Sequence, residues 1–170
     1  MVVADASPLI VLSRIRRLEL LRLLYHEVRI GPRVRREVVE QGTPVDPEGS
    51  RRIAEAIIDG WIQEAEPTAL SGSRVEKLIR ESGLGGGEAE ALALAESHGL
   101  TVIVDDKAAR IVADRLGLRY LGTIGVVLEA FVQAHLEFAE LEVVVRDVTA
   151  ILWLSPEVIA EVLSKARELR

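Results

Sequence analysis

The sequence predicts an α/β domain in which a parallel sheet is covered by helices on both faces. Short aliphatic runs alternate along the chain with amphipathic helical stretches, the pattern of β-α-β units. Hydrophobic residues make up 49% of the 170 residues while aromatic residues make up only 4%. Cores of Val, Leu, Ile and Ala suit strands that are buried on both sides.

Val2-Val3-Ala4 reads as the first strand and stops at Asp5; Ser7-Pro8 then reads as a helix start, with Ser as N-cap and Pro as first helical residue. Leu18, Leu21, Leu24 and Tyr25 outline a second helix, and Val28-Arg29-Ile30 a second strand. Gly31-Pro32 opens a helix over about 33–40, ended by Gly42, and Thr43 to Gly49 reads as a loop on its Pro and Gly content. A helix near 51–58, an extended piece at Trp61-Ile62 and a helix marked by Val75, Leu78 and Ile79 come next. Glycines 83, 85, 86 and 87 precede a helix from Glu88 to about His98. Thr101 to Val104 is the clearest strand and ends at Asp105-Asp106; a helix to about Leu116 follows, capped by Gly117. Arg119 to Leu121 forms a short strand, Gly122-Thr123 cap the helix running to about His135, and two more helical stretches finish the chain. The expected organisation is one domain, residues 1–137, with a helical C-terminal extension over 138–170 whose last helix carries Val158, Val162 and Ala166 on one side.

Cysteine is absent, which removes disulfides, thiolate metal sites and a cysteine nucleophile from consideration. No basic leader precedes an apolar stretch and no apolar run approaches the ~20 residues needed to span a bilayer, so a cytoplasmic location without membrane contact is expected. With 27 acidic against 21 basic residues the net charge is −6, so any nucleic-acid reading must rest on local features.

The local feature is where the acids fall. Two apolar strands end in aspartates, Asp5 and Asp105, and in open α/β sheets ligands sit beyond the carboxyl ends of the strands. Neighbouring strands lie about 5 Å apart. Carboxylates that close repel one another unless a cation neutralises them, and oxygen donors suit a hard ion such as Mg²⁺ or Mn²⁺. Glu88, opening a helix after the glycine cluster, and Glu37, one to two turns into the helix after the second strand, can reach the same edge. Four carboxylates around metal form a device for phosphodiester hydrolysis. Each acid also has a plainer reading. Asp5 and Asp105 could cap strand ends, Asp106 could cap the next helix, Glu37 could share a solvated face with Glu40, and Glu88 could complement its helix dipole.

Taken together, several segments resemble the PIN-domain nucleases, in particular a VapC-like branch described as predicted nucleic-acid-binding proteins. They are Val2 to Ile10, Pro32 to Val38 around Glu37, Gly87-Glu88-Ala89-Glu90-Ala91-Leu92-Ala93-Leu94-Ala95, Val104 to Arg110, and Gly122 to Val126. The resemblance implies a three-layer α/β/α sandwich with a central parallel sheet, dependence on Mg²⁺ or Mn²⁺, and endonucleolytic cutting of RNA. It places Asp5, Glu37, Glu88 and Asp105 in the catalytic acidic positions, with Asp5, Glu88 and Asp105 or Asp106 on the metal. Ser7 would support Asp5 through its hydroxyl. Thr123 is open between a hydroxyl facing the site and a plain N-cap. Glu88 stands where many PIN nucleases carry Asp, so its longer arm shifts the carboxylate.

Lys107 and Arg110 flank the acidic edge, and Arg33, Arg35 and Arg36 form a second basic group near Glu37; either could hold an RNA backbone or be a solvated face. The resemblance further implies the toxin half of a type II toxin–antitoxin pair, a cognate antitoxin partner and a homodimer. The alternative is a catalytically weak or silent PIN-like module that binds RNA or protein. The glycine run lacks the ending of a phosphate-binding loop and reads instead as a hinge beside the site. His26, His98 and His135 lack metal-ligand spacing, and Trp61 and Trp153 read as packing residues from their apolar neighbours.

Overall fold

In a computed structural model, residues 1–42, 44–65 and 72–169 are described. The sheet has five parallel strands in the order β3-β2-β1-β4-β5, with β1 Val2–Ala4, β2 Val28–Ile30, β3 Ile62–Glu64, β4 Val102–Ile103 and β5 Tyr120–Leu121. Helices α1 (Ala6–Arg14) and α2 (Glu19–Tyr25) join β1 to β2, and α3 (Pro32–Arg35) leads directly into a π-helical segment, Arg36–Gln41, and on to α4 (Pro47–Ile58). Beyond β3, α5 (Gly72–Ser82) and α6 (Gly86–His98) precede β4, and α7 (Lys107–Arg115) joins β4 to β5. The chain ends in α8 (Thr123–Val132), α9 (Phe138–Leu152) and α10 (Pro156–Glu168).

Strand alternation divides the interior into two cores. Val2, Ala4, Val28, Ile30 and Ile103 point to one face, where α1, α4, α8, α9 and α10 bury Leu9, Leu12, Ile53, Phe131, Val145 and Ala166. Val3, Val102 and Val104 point to the other face, onto Val75 and Leu78 of α5, the Ala/Leu run of α6, and Ala109 and Ala113 of α7. This is the expected α/β/α sandwich. The C-terminal helices belong to the first core: Val162 and Ala166 of α10 are buried in it, whereas Val158 is exposed. Arg167 stacks its guanidinium 5.5 Å from the centre of the Phe138 ring, adding a polar strap between α10 and α9.

Several boundaries differ from the sequence expectation for physical reasons. α1 begins at Ala6 with Asp5 in the N-cap position, so Ser7 and Pro8 are already helical; Pro tolerates the first turn because amides there have no intrahelical acceptor. The expected 43–49 loop is shorter at its far end. Pro47 starts α4, and the Asp46 carboxylate accepts the Gly49 amide at 3.0 Å, a standard N-cap bond. Thr43 lies outside the described residues. Gly85 is the N-cap of α6 and Gly86 and Gly87 form its first turn, so the glycine cluster is helical at its end and not a free hinge.

The topology also sets where chemistry can occur. Strand order reverses between β1 and β4: the chain moves outward from β1 through β2 to β3, then returns to β4 on the opposite side of β1. At such a switch point the flanking helices leave in opposite directions and open a crevice at the strands' carboxyl ends. Asp5 follows β1 and Asp105 follows β4, and the Asp5 amide donates to the Ile103 carbonyl at 3.0 Å, tying the two strand ends together.

Candidate metal centre

Asp5 is 5% exposed, and its carboxyl is pushed up from 3.8 to about 7. Burial is the main cause, the charges of Glu88 and Glu37 add to it, and the amides of Ala6 and Ser7 partly oppose it. Glu37, on the π-helical segment, is also raised, by partial burial and by Glu88, although its side chain reaches solvent. Glu88 is half-buried in the first turn of α6, where its Oε2 accepts the Gly85 amide at 2.8 Å.

Three elements thus bring three acids to one crevice: the end of β1, the π-helical turn after α3, and the start of α6. Gly87 lies between two of them: a Cβ there would sit in ordinary contact with both, 3.5 Å from Asp5 Oδ1 and 3.4 Å from Glu37 Oε2.

Asp105 occupies the same edge under different conditions. Its Oδ1 accepts the Thr123 amide at 2.7 Å, and its Oδ2 accepts the Thr123 hydroxyl at 2.6 Å and, more weakly, the Ser7 hydroxyl at 3.4 Å. Arg110 stands 3.7 Å away while donating its Nε to the Val104 carbonyl. The Ser7 hydroxyl therefore serves Asp105 and not Asp5. A residue one turn into α1 points across the β1–β4 boundary, and only its backbone amide acts on Asp5. Thr123 is likewise no plain cap, because Gly122 holds the N-cap position of α8 and both polar groups of Thr123 go to Asp105. Asp106 is the N-cap of α7, its Oδ1 accepting the Ala109 amide at 2.8 Å, which commits that oxygen to the helix.

Glu90 is the participant that sequence reasoning left inside a helical pattern. It is 4% exposed, and its Oε2 accepts the Arg33 amide at 2.7 Å and the Val34 amide at 3.4 Å, acting as the N-cap acceptor of α3 from another helix. Gly31 leaves room for it, since a Cβ there would meet the Glu90 carboxylate. The available signal was a lone acid inside Ala89 to Ala95, a run buried all round the helix.

The basic residues divide in a similar way. Arg33 is paired with Glu76, and Arg35 with Glu40 and Glu64, whereas Arg36 and Lys107 are exposed with no ion pair among the described residues. His26, His98 and His135 are all exposed. Trp61 packs partly buried against the first core, but Trp153 is 91% exposed; it is the C-cap of α9, and its left-handed backbone turns it away from the apolar neighbours that suggested packing.

Among the described residues, no three His, Asp or Glu side chains are placed so that together they could hold a metal ion as they stand. The donor chemistry nevertheless fits a hard divalent cation. All the candidate donors are carboxylate oxygens, and the acids around Asp5 are mutually repulsive, with no basic group among the described residues lowering Asp5 or Glu37. An ion there would require Glu88 to turn from its cap towards Asp5.

A family model described as DUF3368: PIN domain matches residues 1–168. No curated protein and no solved structure matches the chain.

Proposed function

The chain belongs to the PIN-domain family, whose fold is of nuclease type and whose members typically use divalent metal ions, and on that premise we propose that it is a Mg²⁺- or Mn²⁺-dependent endoribonuclease of the VapC-like kind. The observation that carries this reading is the burial of Asp5 at the sheet's switch point beside Glu37 and Glu88, with its carboxyl raised to about 7. Uncompensated acids there repel one another and favour the uptake of a cation.

Asp5, Glu37 and Glu88 would hold the metal, with Asp105 bounding the site from β4. When bound, the metal would lower the pKa of water and offset charge on phosphate oxygens. The chain's own residues do the rest. Thr123, Ser7 and Arg110 fix Asp105, so that this carboxylate keeps one orientation beside the scissile phosphate. Glu90 pins the start of α3 and thereby the helix that carries Glu37. Lys107 and Arg36, exposed and without ion pairs among the described residues, would neutralise flanking phosphates of the RNA.

The same proposal includes a cytoplasmic toxin of a type II toxin–antitoxin pair, working as a homodimer and inhibited by an antitoxin that covers the acidic edge. No described helix is long and apolar enough to cross a membrane. The test is cleavage of a mixed structured and single-stranded RNA pool with Mg²⁺ or Mn²⁺, beside an Asp5→Asn, Asp105→Asn double variant. Cleavage that EDTA blocks and the variant lacks is the expected result. A folded parent that binds Mn²⁺ and leaves the RNA intact would replace this reading with that of a silent binding module.

A further inference from the structure

Arg33 stands at the rim of the acidic crevice without taking part in it. It follows β2, one strand outward from Asp5, and its stem and guanidinium lie across Gly86 in the first turn of α6, where a Cβ would come within 2.8 Å of Nη1. Gly87, the next residue, lies against Asp5 and Glu37. The guanidinium lowers Glu90 but neither Asp5 nor Glu37, so its charge acts outside the cluster. Its partner is Glu76 of α5, 2.9 Å from Nη2, and both side chains are well exposed, at 43% and 61%. Exposed pairs of this kind stabilise little. Nor does α5 depend on it, because Arg74 makes two 2.7 Å bonds to Glu96 of α6, and Val75 and Leu78 are buried beneath. On the other side of the site Arg110 lies over Gly122, which follows β5, one strand outward from Asp105. Two guanidiniums, each resting on a glycine where a helix begins, thus bracket the acids.

We propose that Arg33 is a phosphate-binding residue of the RNA site and that Glu76 occupies it in the free protein, so that a backbone phosphate must displace this carboxylate for the strand to seat. The inference rests on the nuclease reading. A polyanion laid over Asp5, Glu37 and Glu88 is repelled by them, and the net charge of −6 gives no general attraction. Cations must therefore meet the strand on both sides of the acids. Arg110 stands on the Asp105 side and Arg33 on the Asp5 side. Glu76 offers Arg33 one short contact from a flexible, exposed side chain, whereas a phosphate can take a guanidinium on two oxygens. Glu76 then sets a threshold on RNA affinity without touching the acids.

The test uses the full chain in EDTA, where the proposed hydrolysis cannot run, and follows the fluorescence anisotropy of a labelled oligoribonucleotide between about 50 and 200 mM salt. Arg33→Met removes the charge and keeps both the stem and the amide that is bonded to Glu90. It should weaken binding and reduce the slope of log affinity against log salt by about 0.7–0.9, the contribution of one phosphate contact. Arg33→Lys should restore that slope, since a point charge suffices for it. Glu76→Gln should tighten binding by roughly 1.4- to 5-fold, the range for an exposed ion pair, in the parent but not in Arg33→Met.

An Arg33→Met protein with the parent's affinity and salt slope would overturn the proposal. So would equal tightening by Glu76→Gln with and without Arg33, which would mean loss of a repulsive charge and no latch. Glu76→Gln lies on the surface and keeps the fold whatever Arg33→Met does, so an affinity that it leaves unchanged overturns the latch by itself. Cleavage in Mn²⁺ separates the two ideas. A parent that cleaves RNA while Arg33→Met binds and cleaves normally sinks the role of Arg33 alone. A parent that binds RNA through Arg33 but leaves it intact sinks the nuclease reading alone.

Discussion

The two strands that flank the switch point both end in an aspartate, yet the two carboxylates live under opposite conditions. Asp5 is buried among acids and pushed up to about 7, with only backbone amides in its favour. Asp105, one strand away, receives an amide and two hydroxyls and has a guanidinium 3.7 Å off. The β1 side of the crevice is loaded with uncompensated charge, and the β4 side is held in place by donors. A carboxylate already engaged by the protein gains less from a cation than one surrounded by other acids. The comparison therefore assigns affinity for metal chiefly to the Asp5 side and orientation of the site chiefly to the Asp105 side.

The largest expected effect separates those roles by single substitutions. Asp5→Asn should remove Mn²⁺ binding measured by calorimetry and reduce RNA cleavage by about 10³-fold or more, the scale on which loss of a central catalytic group is felt. Asp105→Asn should retain measurable Mn²⁺ binding while also lowering the rate, because the amide can no longer take donors on both of its polar atoms. Equal loss of metal affinity in both variants would erase the distinction between the two sides.

Next in size is the pH dependence of the metal-free protein. The folded Asp5 carboxyl sits at about 7, above its ordinary 3.8, so the folded state holds a proton that the unfolded chain releases. Stability from this group is present in full below about pH 4 and is lost as pH rises towards about 7, a change on the order of 4 kcal/mol if no other group responds. In EDTA, denaturant midpoints should therefore fall between pH 5 and 8 in the parent and fall less in Asp5→Asn. Adding Mn²⁺ at pH 8 should reverse the loss in the parent alone. A parent whose metal-free stability is flat across that window would show that Asp5 is not under the charge pressure described.

A smaller effect tests the held side. Thr123 is fully buried, and Thr123→Val keeps its shape while removing the 2.6 Å bond to Asp105. Loss of a hydrogen bond to a charged, mostly buried acceptor costs about 1.5–3 kcal/mol, read by chemical denaturation. The Mn²⁺ affinity should stay close to that of the parent, with the loss appearing in the cleavage rate. A stability change below about 0.5 kcal/mol would mean that Ser7 and Arg110 hold Asp105 without it.

Legibility in the sequence follows the same divide between local and long-range causes. Buried parallel strands are near-continuous aliphatic runs, so an aspartate that ends one stands out; Val2 to Ala4 and Thr101 to Val104 announced both the fold class and the acidic edge. The resemblance carried Glu37 and Glu88 to the same place. Ser7 and Thr123 were legible as supporting hydroxyls, but their joint hold on Asp105 was not, because Thr123 lies 18 residues from it and Ser7 98, and neither spacing has a pattern of its own. The π-helical turn under Glu37 uses ordinary helical residues, so nothing in Arg36 to Gln41 marks it. Trp153 misled for a related reason: neighbours in sequence say little about burial where a left-handed C-cap reverses the chain.

The smallest effect concerns Glu90, which joins the loaded side to its scaffold. Its carboxylate is buried against the first amides of α3, and burial raises it while those amides and Arg33 pull it down. Glu90→Gln keeps a carbonyl oxygen for the Arg33 amide and removes the buried charge, so the two changes oppose one another and net stability should move by less than about 1 kcal/mol. Glu90→Ala removes the acceptor altogether and should lose about 1–2 kcal/mol, the range for deleting a helix N-cap. The two variants differ most at Glu37, which sits one turn beyond the capped end. If Glu90 positions that carboxylate, Ala should weaken Mn²⁺ binding and Gln should restore it. If Glu90 acts instead through its charge, both variants should shift the metal affinity alike, and the loaded side of the crevice would then extend two residues further along α6 than Glu88.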